Sequence, residues 1–208
     1  MSDTQTADRL SFALRGRRLE YFTIFWNVLE GAVAVVVGAI AGSVSLMGFG
    51  IDSFIEVTSG ATLLWRMVVD ADAEKREQNE TLALRIVGFC FLVLALYVTY
   101  EAVIDLWHKQ APKPSTAGIV LACASLIVMP LLSRAKRKVG RALGSAAMHA
   151  DAKQTDFCMY LSAILLVGLL LNALLGLWWA DPVAALVMAP IIAREGIKGI
   201  RGESCPAC

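Results

Sequence analysis

The run that most limits the fold is residues 44–69, about 26 mostly apolar residues that can cross a bilayer as a helix at roughly 1.5 Å per residue. Asp52 and Glu56 lie inside this run, four residues apart, and therefore on one helix face about one turn from each other. An ionisable side chain at membrane depth costs at least about 2.5 kcal/mol, and two like charges side by side cost more. The pair predicts that a cation visits that face.

Composition and further apolar runs predict an all-α membrane protein. Hydrophobic residues make up 57% of the 208-residue chain and its mean hydropathy is +0.63, whereas a soluble domain is roughly 45–50% apolar. Charged residues cluster between the apolar runs, as a multi-pass protein requires. We predict six transmembrane helices at about 20–41, 44–69, 82–107, 116–132, 145–177 and 181–194.

The positions of Lys and Arg predict the orientation in the membrane. With the N-terminus inside, the inner segments hold 16 of these residues, including a basic loop at 134–141, and the outer loops hold two, Lys109 and Lys113. Because Lys and Arg favour cytoplasmic loops, both termini are predicted to be cytoplasmic. We therefore expect a partly disordered cytoplasmic arm at 1–18, a transporter domain at 19–197 and a short cytoplasmic tail at 198–208, in the plasma or inner membrane.

Several functional classes are disfavoured. The net charge is +1 and no basic stripe is interleaved with aromatic residues, so nucleic acid is not expected as a partner. No nucleophile–base pair and no phosphate-binding loop is recognisable, so we do not expect an enzyme. The tail carries Cys205 and Cys208 at the spacing of half a metal site, and whether this pair binds metal stays open.

Polar residues of the fifth span fall level with the two acids. Counted from the cytoplasmic side, Glu56 and Asp52 lie roughly 15 and 21 Å deep, and Gln154 and Cys158 roughly 14 and 20 Å deep. If the two faces meet, they form a site of two carboxylates, one amide and one thiol, which suits a divalent first-row metal. Asp151 would lie one turn closer to the cytoplasm.

Two polar residues of the first span lie at a similar depth. Asn27 and Glu30 are candidates for a supporting shell around the metal or for a proton path. Alternatives stay open: the acids could be held by hydrogen bonds between helices, Gln154 could join two helices, and Cys158 could be a packing residue.

Three motifs resemble the cation diffusion facilitator family. The segment GSVSL at 42–46, followed by Asp52-Ser53 and an acid four residues later, resembles the second span of that family. Ala150-Asp151, with polar residues three and seven positions beyond the aspartate, resembles the fifth span. The segment WADPVAAL at 179–186 resembles the entry to the sixth span.

The resemblance implies export of zinc or a similar divalent ion, generally in exchange for protons, with no permanently bound cofactor. Asp52 and Glu56 match the family's pair of aspartates on span 2. Gln154 and Cys158 match a pair on span 5 that is usually histidine and aspartate. The chain is expected to be a member with the transmembrane domain alone, and a homodimer is expected by analogy. The alternative is a non-transporting membrane subunit that binds metal or regulates a partner transporter.

Overall fold

The structure, a computed structural model, describes the backbone of residues 3–68 and 73–201 and the side chains of 11–58, 60–61, 64, 85–145, 148–149 and 151–201. The described backbone forms six helices, which confirms the predicted all-α class. Their bounds are α1 Asp3–Ala41, α2 Val44–Val68, α3 Ala73–His108, α4 Thr116–Leu143, α5 Ala146–Leu175 and α6 Ala180–Arg201. The tail with Cys205 and Cys208 lies outside the described residues.

Local sequence signals set the ends of α4 and α5. Ser115 caps α4, because its hydroxyl accepts a hydrogen bond from the Gly118 amide at 3.0 Å. Gly144 then adopts a left-handed conformation (φ 62°) that ends α4, and Ser145 caps α5 directly afterwards. The turn between these two helices is therefore only two residues long, which keeps α4 and α5 side by side.

Several predicted boundaries are wrong because hydropathy marks the apolar part of a helix and not its ends. The predicted basic loop at 134–141 belongs to α4, which continues to Leu143. The predicted partly disordered arm is helical from Asp3, and α6 continues past 194 to Arg201. The predicted domain boundaries at 18/19 and 197/198 lie inside α1 and α6, which continue through them without a break. The division into arm, transporter domain and tail stays a prediction.

The helices pack as three antiparallel pairs, with α2 near the centre. The most extensive contacts join α1 to α2, α4 to α5 and α3 to α6, and α2 also contacts α3, α5 and α6. Two glycines allow the backbones to approach closely: a Cβ at Gly50 would lie 2.8 Å from the Val35 nitrogen, and one at Gly88 would lie 2.6 Å from the Ile200 nitrogen. As a result, α1, α2, α4 and α5 enclose a common interior.

The bundle is apolar outside and partly polar inside. Large exposed side chains include Ile40, Leu96 and Leu174, each more than 70% exposed, whereas five carboxylates and one lysine of α1, α2, α4 and α5 are buried. Among the described residues, four segments are long and apolar enough to cross a membrane: Ser11–Ala41, Arg85–His108, Thr116–Leu143 and Asp151–Leu175. The protein is a multi-pass membrane protein.

Candidate metal site

The two acids of α2 face the centre of the bundle. Asp52 and Glu56 are each only 1% exposed, as their position on one helix face requires. Glu56 Oε1 accepts a hydrogen bond of 3.2 Å from the Thr155 hydroxyl on α5. Neither oxygen of Asp52 has a hydrogen-bond partner among the described residues, and the same holds for Glu56 Oε2. Three carboxylate oxygens of α2 are thus buried without a donor.

A third carboxylate comes from α1. Glu30, 1% exposed, accepts a hydrogen bond of 3.2 Å from the Ser53 hydroxyl, next to Asp52 in sequence. Glu30 also lies close enough to Asp52 and Glu56 to interact electrostatically with both. Glu30 was predicted only as a supporting residue, and the structure places it beside the two acids of α2.

Helix α5 brings a thiol to the same place. Cys158 is fully buried, lies next to the Glu56 carboxylate, and also interacts electrostatically with Asp52 and Glu30. We call Glu30, Asp52, Glu56 and Cys158 the acidic cluster. The structure therefore brings together three of the four predicted primary ligands and adds the carboxylate from α1.

The hydrogen bond from α5 to Glu56 comes from the sequence neighbour of the fourth predicted ligand, Gln154. Its side chain is partly buried, and the neighbouring Thr155, which is fully buried, makes the α5 contact with Glu56. Both residues lie within one turn of Cys158, so the exact rotation of α5 decides which one faces the acids. The ligand role of Gln154 stays a prediction.

Unpartnered polar atoms concentrate in this part of the bundle. Within the described part of the chain, nine buried side-chain nitrogen and oxygen atoms lack a hydrogen-bond partner, and six of them are carboxylate oxygens of Glu20, Glu30, Asp52, Glu56 and Asp151. Asn27, fully buried on α1 one turn before Glu30, contributes both of its amide atoms. Because most buried polar groups in folded proteins are hydrogen-bonded, such a concentration points to a ligand site.

The cluster is not a closed metal site. Among the described side chains, no three from His, Cys, Asp and Glu converge closely enough to hold a metal ion. Carboxylate oxygens and a thiol are nevertheless groups that bind divalent first-row metals.

A second buried charged group lies about one helical turn from the acidic cluster, toward the N-terminal half of α1. Lys136 of α4, fully buried, forms ion pairs with Glu20 of α1 at 3.4 Å and with Asp151 of α5. We call these three residues the ion-pair layer. The structure thus places Asp151, predicted to lie one turn inward of the site, in this layer. Sequence reasoning missed Lys136 and Glu20, although both fall on the buried stripes of their helices at three- and four-residue spacing.

Another buried carboxylate joins α6 to the start of α2 at the opposite end of the bundle. Asp181, in the first turn of α6, accepts hydrogen bonds from the Ser43 hydroxyl at 2.6 Å and from the Ser45 hydroxyl. The other oxygen of Asp181 accepts from the Ser45 amide at 3.5 Å, so the carboxylate binds the N-terminus of α2. Since its charge is satisfied by these donors, Asp181 holds two helices together and is separate from the acidic cluster.

Comparison with known proteins agrees with an all-helical membrane fold. A family model, the cation efflux transmembrane domain, matches residues 21–201. An uncharacterized transporter of Methanocaldococcus jannaschii is 27% identical over 178 residues, covering 83% of this chain and 62% of that protein. Transmembrane protein 163 of Xenopus laevis is 26% identical over 185 residues, covering 86% of this chain and 64% of that protein.

A magnetosome protein, MamB of Magnetospira sp., is 26% identical over 186 residues, covering 86% of this chain and 62% of that protein. The chain thus spans less than two thirds of the length of these relatives. The family match includes all of α2 to α6 and the C-terminal half of α1, and so contains every residue of the acidic cluster. The resemblance seen in the motifs is confirmed: the chain belongs to the cation diffusion facilitator family.

Proposed function

We propose that this protein transports a divalent metal cation across the membrane, with the acidic cluster as the transient binding site. The observation that carries the proposal is the burial of three mutually repelling carboxylates with four of their six oxygens unpartnered among the described residues. Such an arrangement is unfavourable in lipid unless protons or a metal cation neutralise the carboxylates. Nothing in the cluster suggests a nucleophile activated for catalysis, so we propose a transporter rather than an enzyme.

Zinc is the proposed cargo. Zn²⁺ accepts carboxylate oxygens and thiolate sulfur together, and it tolerates four ligands of mixed type. A hard cation such as Mg²⁺ prefers an octahedral set of oxygens, which a thiol in the first shell does not serve. The membership of the cation diffusion facilitator family supports a metal cation as cargo in general.

We further propose the plasma or inner membrane as the location and a homodimer as the assembly.

Proton exchange is the proposed driving process, because the same side chains bind protons or metal. A carboxylic acid or thiol must lose its proton to coordinate Zn²⁺, so metal binding releases protons and protonation releases metal. A rocking movement that exposes the cluster first to one side and then to the other would couple the two fluxes.

Zn²⁺ uptake into proteoliposomes is therefore expected to increase when the lumen is made more acidic than the bath, since protons then leave as Zn²⁺ enters. A gradient of one pH unit should change the equilibrium Zn²⁺ ratio about tenfold for each proton exchanged. Uptake can be followed with a Zn²⁺-sensitive dye in the lumen, with a proton ionophore as the control. A Zn²⁺ flux that ignores the gradient would contradict the coupling.

A regulatory subunit is the second candidate function, favoured by the absence of a closed metal site among the described residues. Flux by the purified full chain distinguishes the two functions, because a subunit that only binds metal or a partner would show binding without uptake. We expect saturable Zn²⁺ uptake above that of empty liposomes. Equal uptake in the two preparations would favour the subunit.

A further inference from the structure

Lys136 is completely buried, and transport by the acidic cluster does not explain why. Four other basic residues of the same part of α4 are exposed: Arg134, Arg137, Lys138 and Arg141. An ammonium group removed from water is strongly unfavourable unless it is paired and hydrogen-bonded. The burial of this one lysine among exposed neighbours indicates a specific role inside the bundle.

Three partners on two helices surround the Lys136 ammonium. It donates hydrogen bonds to Glu20 on α1 at 3.4 Å, to Asp151 on α5, and to the Thr155 hydroxyl on α5 at 3.4 Å. All three partners are buried. The ammonium thus uses its three protons on three different residues, which fixes its position between α1, α4 and α5.

Thr155 connects the ion-pair layer to the acidic cluster. Its hydroxyl accepts from Lys136 and lies 3.2 Å from Glu56 Oε1 and 3.2 Å from the Asp151 carbonyl oxygen. The single hydroxyl proton can serve one acceptor at a time, and the carboxylate is the stronger acceptor. Donation to Glu56 engages Oε1, whereas Oε2 has no hydrogen-bond partner among the described residues.

We propose that Lys136 and Thr155 are positioning residues for Glu56, which hold one carboxylate oxygen so that the other is presented to the cation. This inference rests on the proposed function of the acidic cluster. Residues that orient a metal-binding carboxylate typically change metal affinity 10- to 100-fold when they are removed, although they do not touch the metal. Neither residue belongs to the four positions that the family resemblance assigns to the transport site.

The test is the Zn²⁺ affinity of the purified full chain in detergent, measured by competition with a chromogenic chelator. Thr155→Val keeps the side-chain shape and removes the hydroxyl, whereas Thr155→Ser keeps the hydroxyl. We expect Thr155→Val to weaken Zn²⁺ binding about tenfold or more and Thr155→Ser to stay within about threefold of wild type. Thr99→Val is the control for loss of a threonine hydroxyl, because among the described residues the Thr99 hydroxyl bonds the Ala95 carbonyl of its own helix, α3.

Lys136 is tested by a variant that neutralises the whole ion-pair layer, Glu20→Gln/Lys136→Met/Asp151→Asn, and so leaves no charge of that layer without its partner. It is expected to weaken Zn²⁺ binding about tenfold or more, and adding Thr155→Val should cause little further loss because both act through Glu56. If Thr155→Val fails to fold, this variant decides the matter by itself.

The outcomes separate the two proposals. A wild-type chain that binds no Zn²⁺ overturns the proposed function and this inference together. Wild-type binding with equal affinity in Thr155→Val or in the ion-pair variant overturns the inference alone. A lower melting temperature with unchanged Zn²⁺ affinity would mean that these residues only pack α4 against α5, which also overturns it.

Discussion

Replacing Asp52 with asparagine is expected to abolish divalent-cation transport without unfolding the protein. Losing one charged partner of a buried ion pair costs at least about 3 kcal/mol, which corresponds to roughly a 100-fold loss of affinity. The helix bundle should become more stable, because Asp52 has no hydrogen-bond donor among the described residues and is close to Glu30 and Glu56. Zn²⁺ flux into proteoliposomes and thermal unfolding in detergent measure the two effects.

Asp105→Asn is the matched control for this prediction. Asp105 is also a mostly buried aspartate of a membrane helix, but it lies on α3, and its electrostatic partners are Glu101, Asp181 and His108. The control variant is expected to retain transport. The account of the acidic cluster is wrong if Asp52→Asn transports Zn²⁺ like wild type, or if Asp105→Asn loses transport to the same extent.

Lys136→Met alone is expected to reduce the free energy of unfolding by about 3–5 kcal/mol, because it leaves Glu20 and Asp151 as buried charges without their partner. Methionine nearly fills the volume of the lysine stem, so loss of charge and not loss of packing dominates. Adding Glu20→Gln and Asp151→Asn should restore most of the stability, since neutral amides need no counter-ion. The measurement is the unfolding midpoint of the purified variants in detergent.

Lys138→Met provides the comparison on the same helix. Lys138 is exposed, two residues from Lys136, and an exposed charge contributes roughly 0–1 kcal/mol. Its replacement should change the midpoint little. Equal stability of the Lys136 and Lys138 variants would show that the ion-pair layer contributes nothing to the fold.

The general architecture could be predicted because membrane helices need long apolar runs, and such runs are visible in the sequence. The end of α4 could not, because hydropathy falls where Arg134 begins a basic segment. The buried stripe of α4 nevertheless continues through Met129, Leu132, Lys136 and Val139 at three- and four-residue spacing. Helical periodicity carried past the apolar run would have placed Lys136 inside the bundle.

The acidic cluster could be predicted only in part. The four-residue spacing of Asp52 and Glu56 placed both on one face, and counting depth along the helices placed Cys158 level with them. The rotation of α5 is set by packing against α4 and α6, which no local spacing reveals. The hydrogen bond from Thr155 to Glu56 was therefore not predicted, and the ligand role of Gln154 stays a prediction.

The most direct test of the acidic cluster is the Zn²⁺ content of the purified chain after equilibrium dialysis, with Cys205→Ser and Cys208→Ser introduced so that the tail cannot bind metal. The account predicts one Zn²⁺ per chain in this background and almost none when Asp52→Asn and Glu56→Gln are added, because each removed charge costs about 3 kcal/mol or more. Equal Zn²⁺ content with and without these two substitutions would contradict it.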